Sequence, residues 1–227
     1  MFDTNSGQLV WPVHEMGYEI VEWDDDIAVP RADLGADFYR PAVQDRYLQK
    51  RGIIRAKGEG FKEYIPMQDA VSLARRLADI YVIDPLVNSP TDDLILEFTQ
   101  KFGLLIPGNC MAVADFVQTS KYLHIFAGAL DRGEKLKLRE IFNERIVPGM
   151  TVKLVGSASG KPTAMWNLEV EPLNLIAAAW LQLAMELTNG KPLKKCEAPG
   201  CLEWFAHRSN KRFCDNRCKL AFHRAAK

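Results

Sequence analysis

The chain has 227 residues, 48% of them apolar, and its 29 basic and 29 acidic side chains cancel to zero net charge. This length and apolar content predict one larger domain with a proper core and a small C-terminal module. The first residues form no basic and apolar leader, and no run of about 18 uncharged apolar residues occurs, which argues against a signal peptide and a membrane span. The cytoplasm is therefore the expected compartment, and there cysteines bind metal more readily than they form disulfides.

The N-terminal part of the chain predicts short strands. Residues 9–13 and 18–23 are the candidates, and the second alternates polar and apolar side chains as a half-buried strand does. The three acids at 24–26 predict an exposed turn and not a cation site, because neighbouring side chains on an extended chain point to opposite faces. Residues 31–60 show little periodicity and predict loops with one strand at most.

Helices are predicted through the middle of the chain, at 70–80, 89–103, 111–130, 136–147 and 173–187. The second begins with a serine cap followed by a proline, Ser89-Pro90, and ends at Gly103. The last follows Pro172, is almost wholly apolar and is therefore expected to be buried. Residues 151–155 and 163–170 predict the two strands of a hairpin.

No set of residues has the spacing of a catalytic site. The four histidines are scattered, and Cys110, at the predicted start of a helix, is expected to be a buried structural thiol. The glycines and lysine at 156–161 do not make a phosphate-binding loop, because that motif needs four residues between its glycines and a helix after them. The sequence therefore predicts a protein that is not an enzyme.

Four of the five cysteines lie in the last 32 residues, at Cys196, Cys201, Cys214 and Cys218. Two close-spaced pairs of thiolates are typical of a tetrahedral structural metal site, which predicts one bound Zn²⁺. An iron–sulfur centre is the less common occupant of such a set, and disulfides or unpaired core cysteines are the alternatives. His207 and His223 are the reserve ligands.

Charge is distributed unevenly along the chain. Residues 191–227 contain ten Lys or Arg side chains against three acids, so residues 1–190 carry the compensating negative charge. A basic tail on an acidic body suggests a polyanionic partner. Two other interpretations stay open: the surplus could offset the charge of a metal tetrathiolate, or the tail could dock on the body.

The residues around the cysteines predict a small compact unit. Trp204, Phe205 and Phe213 flank a polar tip, which predicts a β-hairpin between the two ligand pairs, and Asp215 is placed to cap a helix through Lys227. Knuckle, hairpin and helix in this order are those of a treble clef. The predicted fold class is therefore α+β: a mostly helical body over 1–190, with short N-terminal strands and a β-hairpin, and a treble-clef-like zinc module over 191–227.

The tail also resembles a known family. The residues that carry the resemblance are the buried helix from 173, Gly190, Cys196, Cys201, Trp204, Phe205, Arg212, Phe213, Cys214 and Cys218. They are similar to the tails of bacterial treble-clef and zinc-ribbon proteins, including the CGNR zinc-finger family of transcriptional regulators. That family has Gly-Asn-Arg after its last cysteine, whereas this chain has Asp215-Asn216-Arg217 before it. The resemblance implies a bacterial or phage regulator that binds nucleic acid.

The basic side chains of the module are the candidate contacts to that partner, with DNA favoured over RNA. We expect phosphate contacts from Lys211, Arg212, Arg217, Lys219 and Arg224, and base-edge contacts from Arg208 and Asn210 at the hairpin tip. The rival class is a protein-interaction module, in which zinc only stabilises a docking surface and the acidic body binds a basic partner. An enzyme with its site in the N-terminal body is the third class.

Overall fold

The structure is a computed structural model that describes residues 9–22, 52–66, 73–81, 91–134, 138, 150–156, 166–189, 193–201, 203–206 and 210–225. Its strands are β1 (Trp11–His14), β2 (Tyr18–Val21), β3 (Ile53–Ala56), β4 (Phe61–Tyr64), β5 (Cys110–Ala112), β6 (Met150–Gly156), β7 (Trp166–Pro172), β8 (Leu193–Lys195) and β9 (Trp204–Ala206). Its helices are α1 (Leu73–Ile80), α2 (Asp92–Phe102), α3 (Val113–Asp131), α4 (Leu175–Asn189) and α5 (Asn216–Ala225).

The N-terminal strands form one bent antiparallel ribbon. β1 pairs with β4 and β2 pairs with β3, and β5 adds to the far edge of β3. The ladder continues through the bend, because the Glu15 N–H donates to the Gly60 carbonyl and the Lys57 N–H to the Gly17 carbonyl. Gly17 has a φ of 75°, which an L side chain rarely adopts, so glycine is the residue that this bend requires.

The main core lies between the ribbon and the helices. Helix α1 packs against both α3 and α4, and Trp180 of α4 meets Phe126 of α3 edge to face at 5.2 Å. The predicted burial of the apolar helix is confirmed, since Trp180 is 1% exposed. The buried amide of Gln182 accepts from the Ala74 N–H and donates to the Pro66 carbonyl, which satisfies the first turn of α1 inside the core.

Several predicted boundaries were wrong. The third helix begins at Val113 and not at Met111, because Cys110 to Ala112 pair with β3; tertiary pairing overrides the helical periodicity here. Cys110 is consequently half-buried on a strand. The described part of the second helix begins at Asp92, with Thr91 at the N-cap position but without a side-chain capping bond. Ser89 and Pro90 lie outside the described residues.

The last apolar helix also starts later than predicted. Pro172 ends strand β7, and Asn174 caps α4 by accepting from the Ala177 N–H at 2.8 Å. The predicted hairpin of β6 and β7 is confirmed, with Val152 opposite Val170. Of the helix predicted at 136–147, only Leu138 is described, and it is buried; the acidic turn at 24–26 lies outside the described residues.

The described residues confirm the mixture of helices with small antiparallel sheets that an α+β fold requires. A second, smaller hydrophobic cluster lies near the C-terminus and consists of Cys196, Ala198 and Phe205. Below, "the body" means the described residues up to Asn189 and "the module" those from Leu193; the domain division and the treble clef stay predictions. None of the helices in the described ranges has the length and apolar character needed to cross a bilayer.

Candidate metal centre

Four thiols converge in the module. The Sγ atoms of Cys196, Cys201, Cys214 and Cys218 all lie within 4.8 Å of one another. Three of the separations are 3.7 Å (Cys201 to Cys214), 3.4 Å (Cys214 to Cys218) and 3.6 Å (Cys218 to Cys201), and all four cysteines are free thiols. Four sulfurs around a Zn²⁺ at about 2.3 Å would be about 3.8 Å apart, so the donor set fits a tetrahedral ion. The prediction that these four cysteines come together is confirmed.

The first pair of thiols is positioned by a short hairpin. Cys196 follows β8 directly, and its N–H donates to the Glu203 carbonyl just before β9. Between them the chain turns at Gly200, with a φ of 73°, and the Cys201 N–H donates to the Ala198 carbonyl. An L side chain rarely adopts this positive φ, so glycine at this position lets the chain turn Cys201 back towards Cys196.

The second pair is positioned by the start of α5. The Asp215 carboxylate accepts from the Cys218 N–H at 2.8 Å, which confirms the predicted helix cap and places Cys218 in the first turn. That hydrogen bond also lowers the pKa of Asp215. The two halves are joined through Cys214, whose N–H points at the Cys196 sulfur at 3.4 Å. An N–H···S contact of this kind stabilises negative charge on a ligating sulfur.

The hairpin of the module differs from the predicted one. Trp204 to Ala206 pair with Leu193 to Lys195, across the first cysteine pair, and not with the residues before Cys214. The strand partner is set by the Cys196 to Cys201 turn, which returns the chain beside β8. Of the predicted hairpin tip, Asn210 is described and exposed, whereas residues 207–209 lie outside the described residues, among them Arg208 and the reserve ligand His207.

The environment of the thiols opposes four negative charges at once. Burial raises the pKa of Cys214, and hydrogen bonding with Cys214 and Cys201 raises the pKa of Cys218. Burial also acts to raise the pKa of Cys196, but hydrogen bonds from Ala198 and Cys214 outweigh it and the net pKa is lowered. A divalent cation would neutralise this crowding, and its binding releases the thiol protons.

The module docks on α1 of the body. Trp204 donates its indole N–H to Asp79 at 3.0 Å, and the Lys195 ammonium lies 2.7 Å from the same carboxylate. Glu203 forms an ion pair with Arg76 of α1. Docking of the tail on the body was one of the open interpretations of its charge, and for these residues of the module it occurs.

A buried arginine lies behind this docking surface. Arg75 is 2% exposed and makes paired hydrogen bonds to Asp131 of α3 and Glu186 of α4. Its guanidinium lies 4.7 Å from the centre of the Trp204 ring, and Glu186 also accepts from the Leu193 N–H at the start of β8. Hydrogen bonding to the two carboxylates outweighs burial and raises the pKa of Arg75. No sequence periodicity identified this residue as a link between body and module.

The hydrogen bond from Trp204 to Asp79 gives a direct test of the docking. In Trp204→Phe the ring stays available to Arg75, but the N–H bond to Asp79 is removed, which should weaken docking by about 1.5 kcal/mol. Hydrogen exchange at residues 193–206 and 73–80 should speed up by roughly tenfold, while the metal content of the protein stays at the wild-type value. Unchanged exchange at both segments would show that this bond does not hold the module in place.

The basic side chains of the module fall into two groups. Lys194 and Arg212 both pair with Glu197, at 2.9 and 2.6 Å, and the Arg212 guanidinium also lies over the rings of Phe213 and Phe222. Arg212 is thus paired within the module although its side chain is 55% exposed, and its predicted phosphate contact stays a prediction. The other described candidates, Asn210, Lys211, Arg217, Lys219 and Arg224, are also exposed, and of these Arg217 pairs with Asp215 at 3.3 Å.

A cleft of about 590 Å³ runs between residues 210–215 and one side of α5. Lys211 and Lys219 line it together with Asn210, Asn216 and His223. Most of these groups donate hydrogen bonds, and Asp215, the one carboxylate in the lining, is already bound to the Cys218 N–H. The lining therefore favours an anion over a cation.

A second cleft, of about 450 Å³, lies on the ribbon of the body. Its lining includes His14, Phe61, Glu59 and Glu63, and the imidazole Nδ1 of His14 is buried with no hydrogen-bond partner among the described residues. None of these residues stood out in the sequence. An acidic and aromatic lining differs in chemistry from the basic cleft of the module.

Comparison with known proteins gives no match, either to a model of a protein family or to a curated protein sequence. The resemblance to the CGNR zinc-finger family therefore stays a prediction that rests on the residues of the tail. Function has to be inferred from the geometry of the module.

Proposed function

We propose that this chain is a non-enzymatic, cytoplasmic protein that binds nucleic acid through a zinc-stabilised C-terminal module and acts as a transcriptional regulator. The observation that carries the proposal is the division of the basic side chains. Lys194, Lys195 and Arg212 are neutralised by Glu197 and Asp79. Lys211, Lys219 and Arg224 are exposed and form no ion pair with any described residue. Exposed cations around one small element provide the charge that binding to phosphates needs.

Zinc is the metal that the proposal assigns to the four thiols. A closed set of four sulfurs with no fifth ligand is typical of a structural zinc site, which stabilises a fold and does not carry out a reaction. The residues that would hold it are Cys196, Cys201, Cys214 and Cys218. Its role would be to fix α5 against the hairpin of β8 and β9, and so to hold the exposed cations in one arrangement.

Nucleic-acid binding is tested by the affinity of the zinc-loaded protein for labelled duplex DNA, single-stranded DNA and RNA at low salt. We expect binding that weakens with salt at a log–log slope of about −0.9 per phosphate on duplex DNA. The variant Lys211→Ala/Arg217→Ala/Lys219→Ala should weaken binding to all sequences. It should also make the slope shallower by about one unit for each phosphate that the variant no longer neutralises.

The matched control is Lys57→Ala/Lys62→Ala/Lys121→Ala, which removes the same charge from the body. This control should leave both affinity and salt slope near the wild-type values, since the three lysines lie outside the module. Equal weakening by the two triple variants would show that only total charge matters. Absence of binding to all three nucleic acids at micromolar protein would contradict the proposal and would favour the alternative, a protein-interaction module.

A further inference from the structure

Helix α5 has no buried residue in the described structure, although it carries one of the four thiols. It is held at its N-terminal end by the Asp215 cap and Cys218, and along one side by the contact between Phe222 and Phe213, whose ring centres are 5.2 Å apart. On the rest of its surface Arg217 pairs with Asp215 at 3.3 Å and the His223 ring lies 6.4 Å from that of Phe213, while Lys219, Leu220, Ala221 and Arg224 are exposed. A rigidly anchored helix with a free surface is a suitable element for recognition.

The exposed part of α5 divides into two strips by helical spacing. Asn216, Lys219 and His223 line the cleft. Arg217, Leu220, Ala221 and Arg224 are exposed, and their spacing of three, four and seven residues aligns them on the outer side; they are called the outer strip below. The outer strip combines two guanidinium groups with Leu220, an apolar side chain that is 55% exposed.

The partner must accept this mixture of cations and an apolar side chain on a helix. The ten residues of α5 include Arg217, Lys219 and Arg224 and no acid. A helix with side chains is about 10–12 Å across, which the major groove of B-DNA admits at about 12 Å and the minor groove, at about 6 Å, does not. Double-stranded RNA has a major groove too narrow for side chains to read. Apolar side chains in the major groove contact the methyl group of thymine.

We propose that α5 enters the major groove of duplex DNA with its outer strip towards the base edges, while Lys211 and Lys219 in the cleft hold the adjacent phosphate backbone. This inference rests on the proposed function and adds to it the partner and the element that reads it. It moves base contact from the hairpin tip to the helix. Leu220 is the residue that distinguishes a groove contact from general attraction to phosphate, because its replacement changes no charge.

The first test compares Leu220→Ser with Leu173→Ser, a matched change at a leucine of the body that is also about half exposed (51%). Leu220→Ser should weaken binding to a mixed-sequence duplex about 3- to 10-fold, because less apolar area is buried against the bases, and should leave the salt slope and the metal content unchanged. Leu173→Ser should leave duplex affinity unchanged. Equal duplex affinity for both variants and the wild type would overturn the inference.

The second test locates the groove. Dimethyl sulfate methylates guanine N7 in the major groove and adenine N3 in the minor groove, so one reagent reports on both. Saturating wild-type protein should protect guanine N7 and leave adenine N3 reactive. Protection of adenine N3 alone, or tighter binding to the separated strands than to the duplex, would overturn the inference while leaving nucleic-acid binding established. No binding to any nucleic acid would instead remove the proposed function and this inference with it.

Discussion

Replacing Cys214 by serine should leave the protein without its metal ion and should abolish hydrogen-exchange protection across residues 193–225. The module has only three buried residues in its own cluster, which is too small a core to hold a fold without the ion. In small zinc modules the metal contributes about 10–16 kcal/mol, and this binding energy is also the folding energy. Loss of one thiolate should therefore act as loss of the whole local fold.

The body should stay folded in this variant, because α4 belongs to the main core through Trp180 and Leu183. Cys110→Ser provides the control, since Cys110 lies on β5 outside the thiol cluster and its replacement should preserve metal content and protection. Metal analysis and exchange measured by mass spectrometry check both variants. A Cys214→Ser protein that keeps its ion, or a module that stays protected without it, would contradict the assignment of the ligands.

Replacing Arg75 by methionine should lower the free energy of unfolding of the body by about 3–5 kcal/mol. The cost arises because Glu186, whose side chain is 7% exposed, loses its cation but remains buried as a charge. The free-energy cost at Asp131 is smaller, because its side chain is half exposed and water can solvate the unpaired charge. Urea denaturation followed by tryptophan fluorescence measures the change.

A second substitution separates the ion pair from the packing around it. Adding Glu186→Gln to Arg75→Met removes the buried carboxylate charge that has lost its partner. The amide oxygen can still accept from the Leu193 N–H, so part of the lost free energy of unfolding should return. Arg55→Met is the exposed counterpart, because Arg55 pairs with Glu19 at the surface and its loss should change stability little. Equal stabilities for Arg75→Met and Arg55→Met would show that burial of the network contributes nothing.

Local signals in the sequence were sufficient to predict the thiol cluster and most of the helices and strands. Cysteine spacing is a local constraint: a turn brings Cys196 and Cys201 together, and the first turn of a helix does the same for Cys214 and Cys218. The capping role of Asp215 and the burial of the apolar helix α4 follow from the same short-range rules of helix ends and periodicity. These features need no knowledge of distant residues.

Pairings between distant segments were decided only by the tertiary structure. Strand β5 replaced a predicted helical start because the edge of β3, more than fifty residues earlier, offered its backbone hydrogen bonds. The partner of Trp204 in the body, Asp79, lies 125 residues away in the chain, and no spacing rule reaches that far. The charge of the tail shows the same limit, since composition counts Lys195 and Lys219 alike. Only the fold, by placing an acid beside one and solvent around the other, determines which cation is free to bind a partner.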